Sequence, residues 1–400
     1  MNAVVLSGGG SAGAYQIGVW RALKKMNFKY DIACGTSVGA INASLMCEKN
    51  FHKAIKLWKN LDYNMIFDTS NIDNNKIISS YAKNILVNGG MDVSVLENNL
   101  KKYINVDKIY KSKINYGLVT VNISKRKTFK LQKKDIPKDK FLDYVMASAT
   151  CFPAFQMKEI NNDKYIDGGF SDNLPINLAI SMGADNIIAV DLKKPGFKKS
   201  VKKDVNVTYI IPRVKTSNFL VFNEENAKID IIHGYNDTLK TFGFLDGNIY
   251  TFKNNNLVKF INKNKKEYKN LLNKLIVNKI IIKNLLKILY VNSIDKISDM
   301  MISSIDYLGD AYKIDNTKIY KIKNFNKLIL NKFTLDNDTN DTSNKIKLYK
   351  LLDGTKAICY MYNKIEECIN NNNYDDLSKL VPLFPRQFIS AIYLYIIKVC

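Results

Sequence analysis

Ser37 stands between two glycines in Gly35-Thr36-Ser37-Val38-Gly39, a short way after the glycine-rich turn Gly8-Gly9-Gly10-Ser11-Ala12-Gly13. The serine follows the apolar run Ile32-Ala33-Cys34 and precedes a helix-like run from Val38 to Met46. That order predicts a nucleophile elbow, a tight strand-to-helix turn that lifts the serine oxygen into the open. Gly35 and Gly39 fall where any side chain would crowd the turn. In Gly8 to Gly13, successive backbone N–H groups at a helix start point at one place and stabilise an anion there. Beside Ser37, that place is where the oxyanion of an ester-cleavage intermediate would sit.

Farther on, Tyr165-Ile166-Asp167-Gly168-Gly169-Phe170-Ser171-Asp172-Asn173-Leu174-Pro175 presents an aspartate at the end of a short strand. The two glycines after it let the loop backbone approach closely. By itself D-G-G is also a common turn. Asp172 or Asn173 with Pro175 behind it reads as a helix start, which capping explains. The small-then-apolar loop Ala149-Thr150-Cys151-Phe152-Pro153-Ala154-Phe155 either lines an acyl pocket or packs as an ordinary loop.

Gly8, Gly10 and Gly13 also satisfy the G-x-G-x-x-G of a dinucleotide-binding turn. In that fold the ribose-binding acid follows the second strand, whereas Asp31 precedes it and the elbow serine occupies the strand's end. No cofactor is expected. Ser37, Asp167 and His233 fall in the chain order of an α/β-hydrolase triad. Thirty-six residues before the serine leave room for only two strands, and His233 lies in the helix-like Asn223–Phe242, where packing accounts for it.

These residues need a layered scaffold. Val4–Leu6, a helix over Ala14–Met26 and a second strand over residues 31–34 make a βαβα start, whose short connections imply a parallel sheet. Tyr116–Ile123 with Thr128–Leu131 reads as a hairpin, Phe141–Ser148 as a helix, and Asn186–Asp191 and Val205–Pro212 as strands. The 400 residues are 46% hydrophobic, which supports a real core. A formal net charge of +23 suggests an anionic partner, although lysine, asparagine and isoleucine are abundant together, as an A+T-rich coding sequence would produce. No nucleic-acid-binding motif appears. Six scattered cysteines and two histidines fit reduced thiols and no metal site. With a strand-like run directly after Met1 and no stretch long enough to span a bilayer, the expectation is a cytoplasmic protein, peripheral to membranes at most.

The succession GGGSAG, GTSVG and DGGFSDNLP resembles the patatin-like phospholipase family. The resemblance covers most of residues 1–192 and implies a three-layer α/β/α domain with a mostly parallel central sheet, here taken as residues 1–252. It implies a serine and aspartate dyad, with Ser37 as nucleophile and Asp167 as its partner. Gly8, Gly9, Gly10 and Gly13 match the oxyanion turn, and Gly168 and Gly169 the supporting loop. Val38 replaces a frequent alanine. The implied activity is hydrolysis of fatty-acyl esters in phospholipids or lysophospholipids. The alternatives are a catalytically silent membrane- or partner-binding protein on the same fold, or a Ser-Asp-His esterase using His233.

Residues 253–400 read as mainly helical and basic. Within 261–290 eight lysines interleave with leucine and isoleucine against a single Glu267. Such a helix either lies on an anionic bilayer or packs its apolar side on the catalytic domain. Phe388 to Cys400 suits a buried final helix or a dip into the membrane interface.

Overall fold

The computed structural model describes residues 1–67, 90–201, 204–276, 283–285, 287, 295–339, 354–372 and 375–399. They form two compact units, Met1–Thr241 and Phe242–Cys400.

The first unit is built on an eight-stranded sheet. Its strands are β1 (Asn2–Leu6), β2 (Ile32–Thr36), β3 (Asn115–Asn122), β4 (Lys127–Gln132), β5 (Lys158–Ile160), β6 (Asp163–Asp167), β7 (Asn186–Val190) and β8 (Asn206–Ile210). They run in the order β5-β6-β3-β2-β1-β7-β8, with β4 also paired to β3. The five strands β3-β2-β1-β7-β8 are parallel. Continuous apolar runs such as Val4-Val5-Leu6 and Ile187-Ile188-Ala189-Val190 are what a parallel sheet covered on both faces requires.

One face packs on the short α7 (Ile176–Ser181) through a core containing Val5, Cys34, Val119, Leu178 and Ile187. The other face carries α1 (Ala14–Lys25), α2 (Val38–Glu48) and α6 (Phe141–Ala149), with α3 (Phe51–Lys59) and α8 (Glu224–Thr241) packed on α1. Two further helices, α4 (Ser94–Tyr103) and α5 (Val106–Lys111), lead into β3. This is the expected three-layer α/β/α arrangement. The chain passes from β1 outward to β2 and β3 and later adds β7 on the opposite side of β1. The strand order therefore reverses at the carboxyl end of β1, the place where open α/β sheets form their binding crevice.

The antiparallel strands supply what the parallel ones lack. β3 pairs with β2 over Asn115–Val119, with β6 over Thr120–Asn122, and with β4 over Gly117–Asn122. A strand has only two edges, so β2 and β6 share the edge opposite β4 and meet end to end along it. Thr36 is opposite Val119 and Asp167 is opposite the next residue, Thr120. The residue after Thr36 and the last residue of β6 are thereby brought together.

In the second unit, β9 (Leu245–Asp246), β10 (Thr251–Lys253) and β11 (Ile319–Tyr320) form a small sheet. Around it lie α9 (Asn256–Leu275), α10 (Lys296–Ala311), α11 (Ile322–Thr339), α12 (Gly354–Asn371), α13 (Asp375–Leu380) and α14 (Pro385–Val399). The division falls at Thr241/Phe242 rather than near residue 253, because residues 245–253 pair with one another and with Ile319–Tyr320. α9 buries Leu257, Ile261, Tyr268, Leu272 and Leu275 in this unit's own core, and the Tyr268 hydroxyl donates to the Ile389 carbonyl. Most of the lysine-rich stretch beyond residue 276 lies outside the described residues. α14 is the buried form of the final helix, with Phe388, Ile389, Ile392 and Tyr393 fully enclosed. Among the described residues no helix is long and apolar enough to cross a membrane.

Candidate active site

Ser37 joins β2 to α2 with φ 57° and ψ −130°, a conformation strained for a residue with a side chain. The elbow survives because its surroundings fix it. The Ser37 N–H donates to the Ser148 hydroxyl at 3.0 Å, and that hydroxyl donates to the Val119 carbonyl at 2.7 Å. The Thr36 hydroxyl donates to the Asp172 carbonyl at 2.7 Å. A Cβ on Gly39 would lie 2.3 Å from the Leu6 carbonyl oxygen, and one on Gly35 would lie 2.4 Å from the Gly39 carbonyl. Backbone occupies the space at both positions, so neither tolerates a side chain without displacing a strand.

Asp167 ends β6 beside Ser37, and the two wall the same cavity. The Asp167 Oδ1 also accepts the Gly169 N–H at 2.7 Å, and the Asp167 N–H donates to the Thr150 carbonyl at 2.8 Å. Ser37 and Asp167 are only 5% and 4% exposed. Burial pushes the Asp167 carboxyl up from 3.8 to about 6, with the nearby Ser37 hydroxyl and the Gly169 N–H pulling in the other direction. The result is a carboxylate that is mostly ionised at neutral pH yet basic enough to accept a proton. Gly168 packs against Thr36 and the Val119 carbonyl, which closes the gap between the two strand ends.

The glycine turn divides its labour. The Gly8 N–H is already engaged, donating to both the main-chain and the side-chain oxygens of Asn173 at 3.1 Å. This corrects the expectation that Gly8 donates to an oxyanion: its amide ties the turn to the Asp167 loop. Gly13 packs against Val38 and Trp58 with no room for a Cβ, so its part is close approach of α1 to α2. Among the described residues, the Gly9 and Gly10 N–H groups have no acceptor. Both glycines line cavities that contain Ser37.

Ser37 stands where two cavities meet. One, of about 330 Å³, is bordered by Gly8, Gly9, Asp167, Asn173, Phe170 and Phe197. The other is a narrow apolar slot of about 60 Å³ between α3 and α4, walled by Leu57, Trp58, Leu96, Leu100, Phe155 and Phe222. Cys151 and Phe219 border both. The 149–155 loop thus lines the slot through Cys151 and Phe155. The Cys151 thiol is itself pushed up to about 12 by burial and the Asp167 charge, so it stays protonated.

His233 is buried in α8 at 4% exposure and borders neither cavity. The triad alternative therefore lacks its third member at the site. Asn173 and Asp172 cap no helix, because α7 starts after Pro175 without a side-chain cap. Asn173 instead holds Gly8, and Asp172 is buried 3.5 Å from the Lys130 ammonium. Sequence reasoning missed Asn173, Ser148 and the Phe219–Phe222 segment. The one available signal was the density of apolar side chains in Asn218-Phe219-Leu220-Val221-Phe222, a stretch otherwise free of strand or helix pattern.

The site is thus a glycine-bounded serine at a parallel strand end, beside a buried carboxylate and two backbone amides, on an α/β/α scaffold. Residues 4–180 match the family model for Patatin-like phospholipase, and this part of the chain is a patatin-like domain. The rat patatin-like phospholipase domain-containing protein 7 is 28% identical over 200 residues, covering 48% of this chain and 13% of that protein. Lysophospholipase NTE1 of Candida albicans is 28% identical over 201 residues, covering 47% of this chain and 13% of its own. The chain thus spans only a small part of the length of these relatives. Among solved structures, VipD from Legionella pneumophila aligns over 99% of this chain and 91% of its own, at 13% identity and a TM-score of 0.41.

Proposed function

We propose that the first unit hydrolyses fatty-acyl esters of phospholipids or lysophospholipids, with Ser37 as nucleophile and Asp167 as general base and acid. The observation that carries this reading is a buried Asp167 of raised pKa walling the same chamber as Ser37, where that chamber meets an apolar slot. Asp167 takes the Ser37 proton as Oγ adds to the ester carbonyl. The oxyanion rests on the Gly9 and Gly10 amides, donors of a kind whose individual loss typically costs about 100- to 1,000-fold in rate. Collapse expels the alcohol, which takes the proton from Asp167 and leaves an acyl-serine. Water, deprotonated by Asp167, adds to the acyl carbon; the second collapse returns the proton to Ser37 and frees the fatty acid.

The narrow slot favours one acyl chain, and the chamber leaves space for a polar head group. The name lysophospholipase carried by two relatives supports a single-chain substrate. The test is fatty-acid release from lysophospholipid micelles and phospholipid vesicles by wild type, Ser37→Ala and Asp167→Asn. Release by wild type and loss in both folded variants is expected. Release surviving Ser37→Ala, or a silent wild type on both lipids, counts against the reading.

A further inference from the structure

The open chamber beside Ser37 has an unusual rim. Phe170 and Phe197 border it while being 46% and 68% exposed. Neither ring hangs from a loose loop. The Phe197 N–H donates to the Gly169 carbonyl at 2.9 Å, and its carbonyl accepts the Asn173 N–H, so the exposed ring is fixed to the loop that carries Asp167. Val201 is exposed a few residues on. Large apolar side chains held out together beside a functional cavity mark a surface that is covered at some stage.

The same loop is crowded with cations, Lys193, Lys194, Lys198 and Lys199; burial lowers the Lys194 pKa and the charge of nearby Lys215 adds to that. Buried acids lie among them: Asp191 pairs with Lys193 and Lys198, Asp172 lies near Lys199, and Asp230 near Lys194. Lys194 donates to the Thr216 and Ser217 carbonyls, which pins the loop to the segment leading to Phe219. Aromatic tips surrounded by ammonium groups complement a bilayer with anionic head groups. Rings enter the acyl boundary while lysines stay at the phosphate level.

We propose that this rim, residues 169–170 and 193–199, docks the protein on an anionic lipid bilayer with Phe170 and Phe197 entering the acyl boundary. Docked this way, the chamber opens directly onto lipid, and an ester reaches Ser37 without crossing water. That use of the surface rests on the hydrolase reading; the docking does not. It also moves the membrane contact away from the lysine-rich stretch 261–290, whose described helix α9 keeps its apolar side in its own unit.

The experiment uses the full chain with Ser37→Ala, so that no lipid is consumed, and a reporter Phe197→Trp. The two natural tryptophans, Trp20 and Trp58, are buried, and because Trp58 walls the slot the Ser37→Ala protein without a reporter is titrated alongside and subtracted as background. A second protein carries Val258→Trp on the exposed side of α9. Both are titrated with vesicles of phosphatidylglycerol and phosphatidylcholine, or phosphatidylcholine alone, with bromine on the acyl chains as quencher. The expected result is a blue shift and quenching at position 197 with anionic vesicles and weak binding to neutral ones. Each lysine near the surface contributes about a fivefold change in binding, so Lys199→Glu with Lys215→Glu weakens partitioning by at least about tenfold. Quenching at 258 but not 197, pelleting without quenching at 197, or binding indifferent to anionic lipid overturns the proposal. Wild-type hydrolysis of a water-soluble short-chain ester, measured alongside, keeps the two readings apart: its absence counts against the hydrolase, and quenching at 197 upholds the docking regardless.

Discussion

Replacing Asp167 by asparagine removes the proposed base, and it is also expected to stabilise the first unit. Burial raises the Asp167 carboxyl from 3.8 to about 6. Its folded-state pKa thus exceeds its unfolded one, so the folded state binds the proton more tightly and stability falls as pH rises through that interval. The penalty is absent below pH 3.8, grows between 3.8 and about 6, and is complete above. At 1.36 kcal/mol per pH unit the full penalty is about 3 kcal/mol. Asparagine carries no charge, and its amide still offers an acceptor to the Gly169 N–H and a donor to the Ser37 oxygen. Asp167→Asn is therefore expected to gain up to about 3 kcal/mol at pH 8 and much less at pH 4.5. Urea titrations followed by tryptophan fluorescence read this unit alone, since both tryptophans are buried in it. A gain of the same size at both pH values, or a loss at pH 8, refutes the assignment of the raised pKa to burial of this carboxyl.

Three other outcomes follow from the same geometry. kcat/KM for a soluble ester is expected to fall tenfold per pH unit below about pH 6, as Asp167 takes up its proton; a profile flat down to pH 5 contradicts it. Asn173→Ala removes the side-chain half of the bonding to the Gly8 amide, leaving only the main-chain acceptor, and loosens the turn that carries Gly9 and Gly10. It is expected to lower kcat by roughly tenfold or more with KM little changed, and a change confined to KM argues against this positioning role. Leu100→Trp fills the slot between α3 and α4. Long-chain esters are expected to lose most of their activity while acetyl esters keep theirs, and equal loss on both places the acyl chain elsewhere.

The parts of the site that are local in sequence were legible there. The elbow glycines, the serine between them and the glycine turn act within a few residues, so their types and spacing carry the geometry. The strands and helices of the first 60 residues are legible for a similar reason, since buried parallel strands are short apolar runs and α1 and α2 have helical periodicity. What brings Asp167 to Ser37 was not legible. It depends on β2 and β6 sharing one edge of β3, through pairings between residues 83 and 43–47 positions apart. Asn173 looked like a helix cap because asparagine before proline usually is one, and its partner Gly8 lies 165 residues away. Leu96, Leu100 and Phe222 resemble core residues in sequence because an apolar slot and a core are lined by the same side chains. In the second unit, the lysine and leucine pattern of α9 announces an amphipathic helix but not what covers it. That its cover is the unit's own core emerges only from the packing.

The central claim is that Ser37 is the nucleophile and Asp167 activates it. A fluorophosphonate carrying a long alkyl chain tests it most directly, because it bonds covalently to an activated serine and mimics the tetrahedral intermediate. Intact-mass measurement followed by peptide mapping is expected to find one adduct, on Ser37, none in Ser37→Ala, and greatly slowed labelling in Asp167→Asn. An adduct on another residue, or labelling of Ser37 that proceeds equally fast without the Asp167 carboxylate, would contradict the account.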